Sequence, residues 1–235
     1  MNAPAFSRRA FLASSALAVG FAIARPGIAR SAPAIPAKSL DPTAVDSYLA
    51  IDADGAVTLY CGKVDLGQGL RIAMRQIAAE ELGLAVDAIG YVEGDTALTP
   101  DQGRTSGSNG IQRGGMQVRR AAATLRAALV ERAARKLNVA ADALVVGNGR
   151  IAARDGGAGV AFKDLLDGAP SALKLDPKAP LRAPSSYALV GKSLPRPDVP
   201  AKCTGAHVFM QDFKVDGMVH ARVLRPPLIG AEISG

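Results

Sequence analysis

Two glycine-containing loops hold the residue types that suit the binding of a large anion. The first loop runs from Gly62 to Gly69 and ends in the sequence Gly67-Gln68-Gly69. Because glycine lacks a Cβ atom, this backbone can approach a ligand closely, and the Gln68 amide offers both donors and an acceptor. A Gly-Gln-Gly sequence alone is a weak signal, because an ordinary turn between a strand and a helix has the same composition.

A second loop, residues 104–112, is rich in hydroxyl groups and precedes a long helical pattern. Its small and polar residues include Thr105, Ser106, Gly107, Ser108 and Gln112. Hydroxyl and N–H groups in front of a helix can hold phosphate oxygens. The alternative is N-capping, which needs one such side chain rather than three. Neither a P-loop nor a G-x-G-x-x-G pattern occurs, so a nucleotide cofactor is not indicated. Together the two loops predict a bulky anionic ligand.

The spacing of apolar residues predicts an α+β fold in which a helix follows each loop. We predict strands at residues 48–51, 57–60 and 89–92, and helices at residues 70–83 and 116–137. The turn Asp52-Ala53-Asp54-Gly55 joins the first two strands. The Asn148-Gly149 pair predicts a hairpin within residues 145–151, and residues 160–166 form either a short helix or a strand.

Proline content separates a first domain, residues 45–168, from the rest of the chain. Prolines are dense in residues 169–200, which predicts a linker that wraps between domains. Residues 201–235 form the start of a second, β-containing domain with strands at 206–209 and 218–224. A core needs on the order of 50 residues to close, and about 35 are present here, so we expect a truncated domain.

Residues 1–34 have the composition of an export signal. They contain four arginines and no acidic residue, with Arg8-Arg9 followed by Phe11-Leu12 and then a short apolar stretch. This pattern predicts a twin-arginine signal peptide and a periplasmic protein, although a chance arginine pair in an ordinary secretory signal has the same appearance. Without this segment, 24 basic residues face 21 acidic ones, so the overall charge of +7 does not indicate nucleic-acid binding.

Several separate motifs resemble the xanthine dehydrogenase/aldehyde oxidase family, and most closely its isoquinoline 1-oxidoreductase beta-subunit branch. The segments that carry this resemblance are residues 62–69, 76–82, 94–101, 105–108, 190–192, 195–205 and 217–227. The resemblance implies a molybdopterin-binding-like domain at 45–168 and the start of an a/b hammerhead domain at 201–235. The Gly-Gln-Gly segment precedes the hammerhead here, whereas xanthine dehydrogenases proper carry it afterwards.

This resemblance also implies a function for the chain as the N-terminal part of a large oxidoreductase subunit. Such a subunit hydroxylates N-heterocycles or oxidises aldehydes with water as the oxygen source. It uses molybdenum–molybdopterin, expected in the cytosine dinucleotide form, and passes electrons to iron–sulfur clusters in a small partner subunit, with a cytochrome c as a candidate acceptor. The implied cofactor contacts are Gly67, Gln68, Gly69, Thr105, Ser106, Gly107, Ser108 and, as a further candidate, Gln112.

The family's catalytic general base, a glutamate late in the complete subunit, has no counterpart in these residues. Glu80 and Glu81 follow the first loop and are expected on a solvated helix face. Cys61 and Cys203 lack a C-x-x-C pattern and are expected as two buried free thiols, although a disulfide stays open. We therefore expect this chain alone to be inactive. The alternative function is a non-catalytic periplasmic binding protein, or a pseudogene product, on the same scaffold.

Overall fold

The computed structural model describes residues 40–166, 173–225 and 228–230 of the 235-residue chain. Its contacts divide the chain into two compact units, Met1–Pro195 and Arg196–Gly235. The predicted signal peptide, residues 1–34, lies outside the described residues.

A three-stranded sheet begins the first unit and confirms the three predicted strands. It contains β1 (Leu49–Ile51), β2 (Val57–Cys61) and β3 (Ile89–Glu93) in that spatial order. Strands β1 and β2 are antiparallel, and Gly55 turns the chain between them at a φ of 88°. Strands β2 and β3 are parallel, and such a pair needs a crossover connection, which here contains a helix.

Two helices pack in the core of this unit at the predicted positions. Helix α1 (Leu70–Leu82) ends at Gly83, whose φ of 65° allows the last turn to close. Helix α2 (Met116–Leu137) begins where the sequence predicts it. The π-helix Gly110–Gly115, which joins the second loop to α2, was not predicted from the sequence. The mixture of strands and helices confirms the α+β class.

A second sheet, antiparallel throughout, packs against the end of α2. Its strands are β4 (Leu144–Gly147), β5 (Arg150–Ala153) and β6 (Gly159–Ala161). The predicted hairpin turn is confirmed, since Asn148 and Gly149 adopt φ values of 50° and 69°. The stretch predicted as a helix or a strand contains both, because β6 is followed by the 3-10 helix Phe162–Leu165.

Residues 173–195 of the proline-rich segment belong to the first unit and are hydrogen-bonded to other parts of it. The backbone N–H of Val45 donates to the Leu173 carbonyl at 2.8 Å, and that of Leu175 donates to the Thr43 carbonyl at 2.8 Å. Further along, residues 182–192 cross α1. We call residues 182–192 the strap.

The strap buries the helix face on which Glu80 and Glu81 lie, so the prediction of a solvated face is wrong. Their exposed fractions are only 4% and 1%. Glu81 pairs with Arg119 at 2.9 Å and with Arg126 at 3.1 Å, and it accepts the backbone N–H of Arg182. A buried carboxylate is stable when it is paired in this way, and the partners come from α2 and from the strap.

The second unit contains the short helix α3 (Val199–Cys203) and the 3-10 helix Met210–Asp212. The strands predicted at 206–209 and 218–224 are wrong, because those residues are irregular and no β-strand occurs in the described part of this unit. A strand needs a neighbour to accept its backbone hydrogen bonds, and apolar residues such as Val219 are 87% exposed instead. Cys203 is exposed and free, so the expectation of a buried thiol holds only for Cys61.

Within the described residues, we find no helix with both the length and the apolar character needed to cross a bilayer.

Candidate cofactor-binding site

The first loop is organised by Asp65, which binds the backbone around the Gly-Gln-Gly sequence. Its Oδ1 accepts the N–H of Gly67 at 2.8 Å and of Gly69 at 3.2 Å, and its Oδ2 accepts the N–H of Arg71 at 3.0 Å. Gly67 and Gly69 adopt φ values of 105° and 82°, which residues with a Cβ atom rarely adopt. The aspartate thus fixes this loop at the start of α1.

Gln68 folds back on its own loop. Its Oε1 accepts the backbone N–H of Leu66 at 2.6 Å, and its Nε2 donates to the Val64 carbonyl at 3.3 Å. The residue is exposed, and Leu66 at the tip of the loop is 73% exposed. In this arrangement, both polar atoms of the Gln68 amide hold the loop itself.

The second loop is closed by Asn109 and joined to the first loop by Thr105. The Asn109 Nδ2 donates to the Arg104 carbonyl at 3.2 Å, and its Oδ1 accepts the N–H of Ser106 at 3.4 Å. The Thr105 Oγ1 accepts the backbone N–H of Val64 at 2.9 Å. The two loops, separated by about forty residues in the sequence, are therefore in direct contact.

Lys63 lies beneath the second loop and is only 1% exposed. Its Nζ donates to the carbonyls of Gly103 at 3.1 Å and Arg104 at 2.7 Å. Burial lowers the pKa of Lys63, and the nearby Arg113 lowers it further, whereas Asp101 raises it. The side chain links the end of β2 to the second loop.

Gln102 makes a second buried link from the end of β2, in this case to α2. Its Oε1 accepts the backbone N–H of Gly62 at 2.8 Å and the thiol of Cys61 at 3.3 Å, and its Nε2 donates to Gln117 at 2.8 Å. Burial raises the pKa of the Cys61 thiol, which therefore stays protonated as a donor to Gln102. This glutamine joins β2 to α2 across the base of the site.

A cavity of about 430 Å³ opens beside the second loop. The residues that line it are Lys63, Gln102, Gly103, Arg104, Ser106, Gly107, Asn109, Gln112 and Arg113. Three of these residues are cationic, and among the described residues that line the cavity there is no Asp or Glu. An anion gains from this surplus of positive charge, and the hydroxyl and amide groups supply hydrogen bonds to its oxygens.

The π-helix turns Gln112 and Arg113 towards this cavity while its glycines face α1. A Cβ atom on Gly114 would lie 2.8 Å from the Lys63 Cγ, and one on Gly115 would lie 3.0 Å from the Ile77 side chain. Larger residues would separate the two helices. Short π-helical segments are common at functional sites, because they change the direction in which side chains point.

The structure places three of the eight predicted cofactor contacts on the cavity, namely Ser106, Gly107 and Gln112. Thr105 bonds to the first loop instead, and Gly67, Gln68, Gly69 and Ser108 do not line the cavity. The sequence predicted no role for the remaining lining residues, which are Lys63, Gln102, Gly103, Arg104, Asn109 and Arg113. The position of Lys63 at a strand end, between Gly62 and an apolar residue, could have indicated that it belongs to the site. No feature of the sequence indicated that Gln102 does.

Comparison with known proteins identifies the family. A family model described as a molybdopterin cofactor-binding domain matches residues 6–217. The chain belongs to this family. The match extends over most of this molybdopterin cofactor-binding chain, so the resemblance based on the two loops and their neighbouring motifs is confirmed.

Three relatives show the breadth of the family. A nicotinate dehydrogenase subunit of Pseudomonas putida is 38% identical over 198 residues, which cover 83% of this chain and 17% of that protein. Membrane-bound aldehyde dehydrogenase (pyrroloquinoline-quinone) of Gluconacetobacter polyoxogenes is 32% identical, covering 94% of this chain and 29% of that protein. The beta subunit of isoquinoline 1-oxidoreductase from Brevundimonas diminuta is 27% identical, covering 95% and 34%. The chain thus spans between about a sixth and a third of their length.

In the part of the chain that the structure describes, no three His, Cys, Asp or Glu side chains cluster in a way that could hold a metal ion.

Proposed function

We propose that this chain forms part of the cofactor pocket in the large subunit of a molybdenum-dependent oxidoreductase. The observation that carries the proposal is the cationic cavity beside the second loop, which is lined by Lys63, Arg104 and Arg113 without a lining carboxylate. A cavity of this charge suits a ligand with phosphate groups, and its volume of about 430 Å³ accommodates a part of a dinucleotide.

The lining residues fit a molybdopterin dinucleotide by their chemistry. Lys63, Arg104 and Arg113 would neutralise the phosphate oxygens, while Ser106 and Gln112 would donate hydrogen bonds. The first loop, with its two glycines of positive φ, would allow the same ligand to approach its backbone closely. The cytosine dinucleotide form is our proposal for the ligand.

When bound, this cofactor accepts two electrons from the substrate while water supplies the oxygen. The residues of this chain bind and orient it. We propose that the general base is a glutamate outside these residues.

The proposed reaction is hydroxylation of N-heterocycles or oxidation of aldehydes. The names of the relatives, a nicotinate dehydrogenase, an isoquinoline oxidoreductase and an aldehyde dehydrogenase, support this range. The proposal has further parts. The partner is a small iron–sulfur subunit, and the electron acceptor is a cytochrome c. The protein is exported by the twin-arginine route, and residues 201–235 begin a hammerhead domain.

Binding measurements on the 235-residue chain test the anion site. We expect isothermal titration calorimetry to show binding of cytidine diphosphate and of inorganic pyrophosphate at constant ionic strength. Arg113→Ala and Arg104→Ala should each weaken binding about fivefold, equivalent to about 1 kcal/mol for an exposed cation. Arg150→Ala serves as the control, because this arginine lies on β5 and does not line the cavity.

The outcomes discriminate between cofactors as well. One relative is named for pyrroloquinoline quinone, so that quinone is included as a competing ligand. Absence of cytidine diphosphate binding, or displacement of it by the quinone at lower concentration, would overturn the proposal. The chain alone should give no dye reduction with nicotinate, isoquinoline or an aldehyde, and clear turnover would show that it supplies its own base.

A further inference from the structure

Lys63 carries a buried positive charge that no carboxylate of the described residues pairs with. Its side chain is almost inaccessible, and within the described part of the chain the Nζ donates to the carbonyls of Gly103 and Arg104. No ion pair within 4.0 Å involves it among the described residues. Asp101 acts on it only through a weaker electrostatic interaction.

A buried ammonium of this kind is unfavourable unless another charge compensates it. Two carbonyl dipoles stabilise it in part, but Arg113 repels it and Arg104 lines the same cavity. Since Lys63 itself lines the cavity, a negative charge bound there would lie beside the ammonium. An anion in the cavity therefore supplies the compensation that the protein's own side chains lack.

The surrounding backbone is shaped to hold this lysine in place. A Cβ atom on Gly114 would come within 2.8 Å of the Lys63 Cγ, so the π-helix leaves the space that the stem of the lysine occupies. At the other end of the side chain, the two carbonyls fix the backbone of residues 103–104, from which Arg104 projects. The position of the charge and the shape of the second loop thus depend on the same side chain.

We propose that Lys63 is a positioning residue for a phosphate or diphosphate group bound in this cavity, fixing the second loop and supplying the buried countercharge. The inference rests on the proposed function and extends it. It predicts that a nearly inaccessible lysine contributes more to anion binding than the exposed arginines.

The first experiment measures pyrophosphate binding to variants of the 235-residue chain by calorimetry. Lys63→Met removes the charge and keeps most of the stem, and it should weaken binding about tenfold or more, as expected for a buried charged hydrogen-bonding group. Lys63→Arg keeps the charge and should recover part of the affinity. Lys178→Met is the matched control, because Lys178 is exposed and outside the cavity, and it should bind as the wild-type chain does.

The second experiment needs no substitution and so does not depend on whether Lys63→Met folds. In a chain with 13C-labelled lysine side chains, nuclear magnetic resonance follows the titration of Lys63 with and without pyrophosphate. Binding should raise the pKa of Lys63, which burial otherwise lowers, and leave Lys178 unchanged. A lysine whose ammonium does not face the bound anion would not respond in this way.

The outcomes separate the two proposals. The first outcome is that Arg104→Ala and Arg113→Ala weaken binding, while Lys63→Met has no effect and the titration of Lys63 does not change. This outcome would overturn the role of Lys63 and leave the proposed function intact. Binding of pyrophosphate that depends on Lys63, without binding of cytidine diphosphate, would support the role of Lys63 and overturn the proposed cofactor. Absence of any anion binding would overturn both.

Discussion

Replacement of Glu80 by alanine should detach the strap from α1. The Glu80 carboxylate is 4% exposed and accepts three successive backbone N–H groups, from Ala188 at 3.1 Å, Leu189 at 2.6 Å and Val190 at 2.8 Å. In Glu80→Ala, these three donors lose their charged acceptor. Because they are only partly buried, water replaces some of the interaction, and we expect a cost of about 1 kcal/mol for each donor.

The expected loss is therefore about 3 kcal/mol in the free energy of unfolding, against a total of about 5–15 kcal/mol for a typical domain. Urea unfolding followed by circular dichroism measures this loss. Hydrogen exchange locates it, since the amides of residues 188–190 should exchange faster than in the wild-type chain. Glu131→Ala, which replaces an exposed glutamate on α2, is the control and should change stability by less than about 0.5 kcal/mol.

The interaction between Glu80 and the strap also makes the free energy of unfolding depend on pH, in a direction that the pKa of Glu80 determines. Burial by itself raises the pKa of Glu80, but the backbone N–H groups of Val190, Ala188 and Leu189, together with Arg182, outweigh it, and the pKa lies below its ordinary value of 4.5. The stabilisation is therefore complete above that value and is lost as the pH falls through the lowered pKa. Glu80→Gln should remove this acid-side loss.

The reasoning about Glu80 would be refuted by a stability change below about 1 kcal/mol in Glu80→Ala combined with unchanged exchange at residues 188–190. That result would mean that the strap is held by its apolar contacts rather than by the carboxylate. A stability loss without faster exchange at the strap would place the effect elsewhere in the core.

Two further predictions concern the base of the candidate site. Gly114→Ala should destabilise the chain by about 1–3 kcal/mol in urea unfolding, because the Lys63 side chain is hydrogen-bonded at its Nζ and cannot move away from the new methyl group. Gly147→Ala is the control, because a Cβ atom there meets nothing within 4 Å. Equal stabilities of the two variants would contradict this packing. A thiol-reactive dye should modify Cys203 rapidly and Cys61 only after unfolding, because burial raises the pKa of Cys61 and shields it. Two fast equivalents per chain would show that Cys61 is accessible in the folded state.

Much of the fold could be predicted from local patterns in the sequence. The Asn148-Gly149 turn depends on two residues that tolerate positive φ, and α2 is a continuous helical pattern, so neither needs distant partners to be recognised. The strands at 206–209 and 218–224 show the opposite case. Their composition favours β structure, but a strand forms only where a neighbouring strand accepts its hydrogen bonds.

The candidate site was predictable only in part, for the same reason. The glycines and hydroxyl residues of the two loops predict an anion site by their types, and Ser106, Gly107 and Gln112 do line the cavity. The amide of Gln68 also has the right chemistry, but it bonds to its own loop. Residue type therefore indicated which loops form the site, and it did not indicate which side chains face the cavity.

The sequence by itself determined the order of the elements, the two loops and the family to which they belong, because these depend on neighbouring residues. The tertiary structure alone decided which charged groups are buried. Glu80 meets Ala188 across 108 positions of sequence, and Lys63 meets Arg104 across 41. Whether such a residue is solvated or buried depends on the chain segment that folds over it, and local spacing contains no information about that segment.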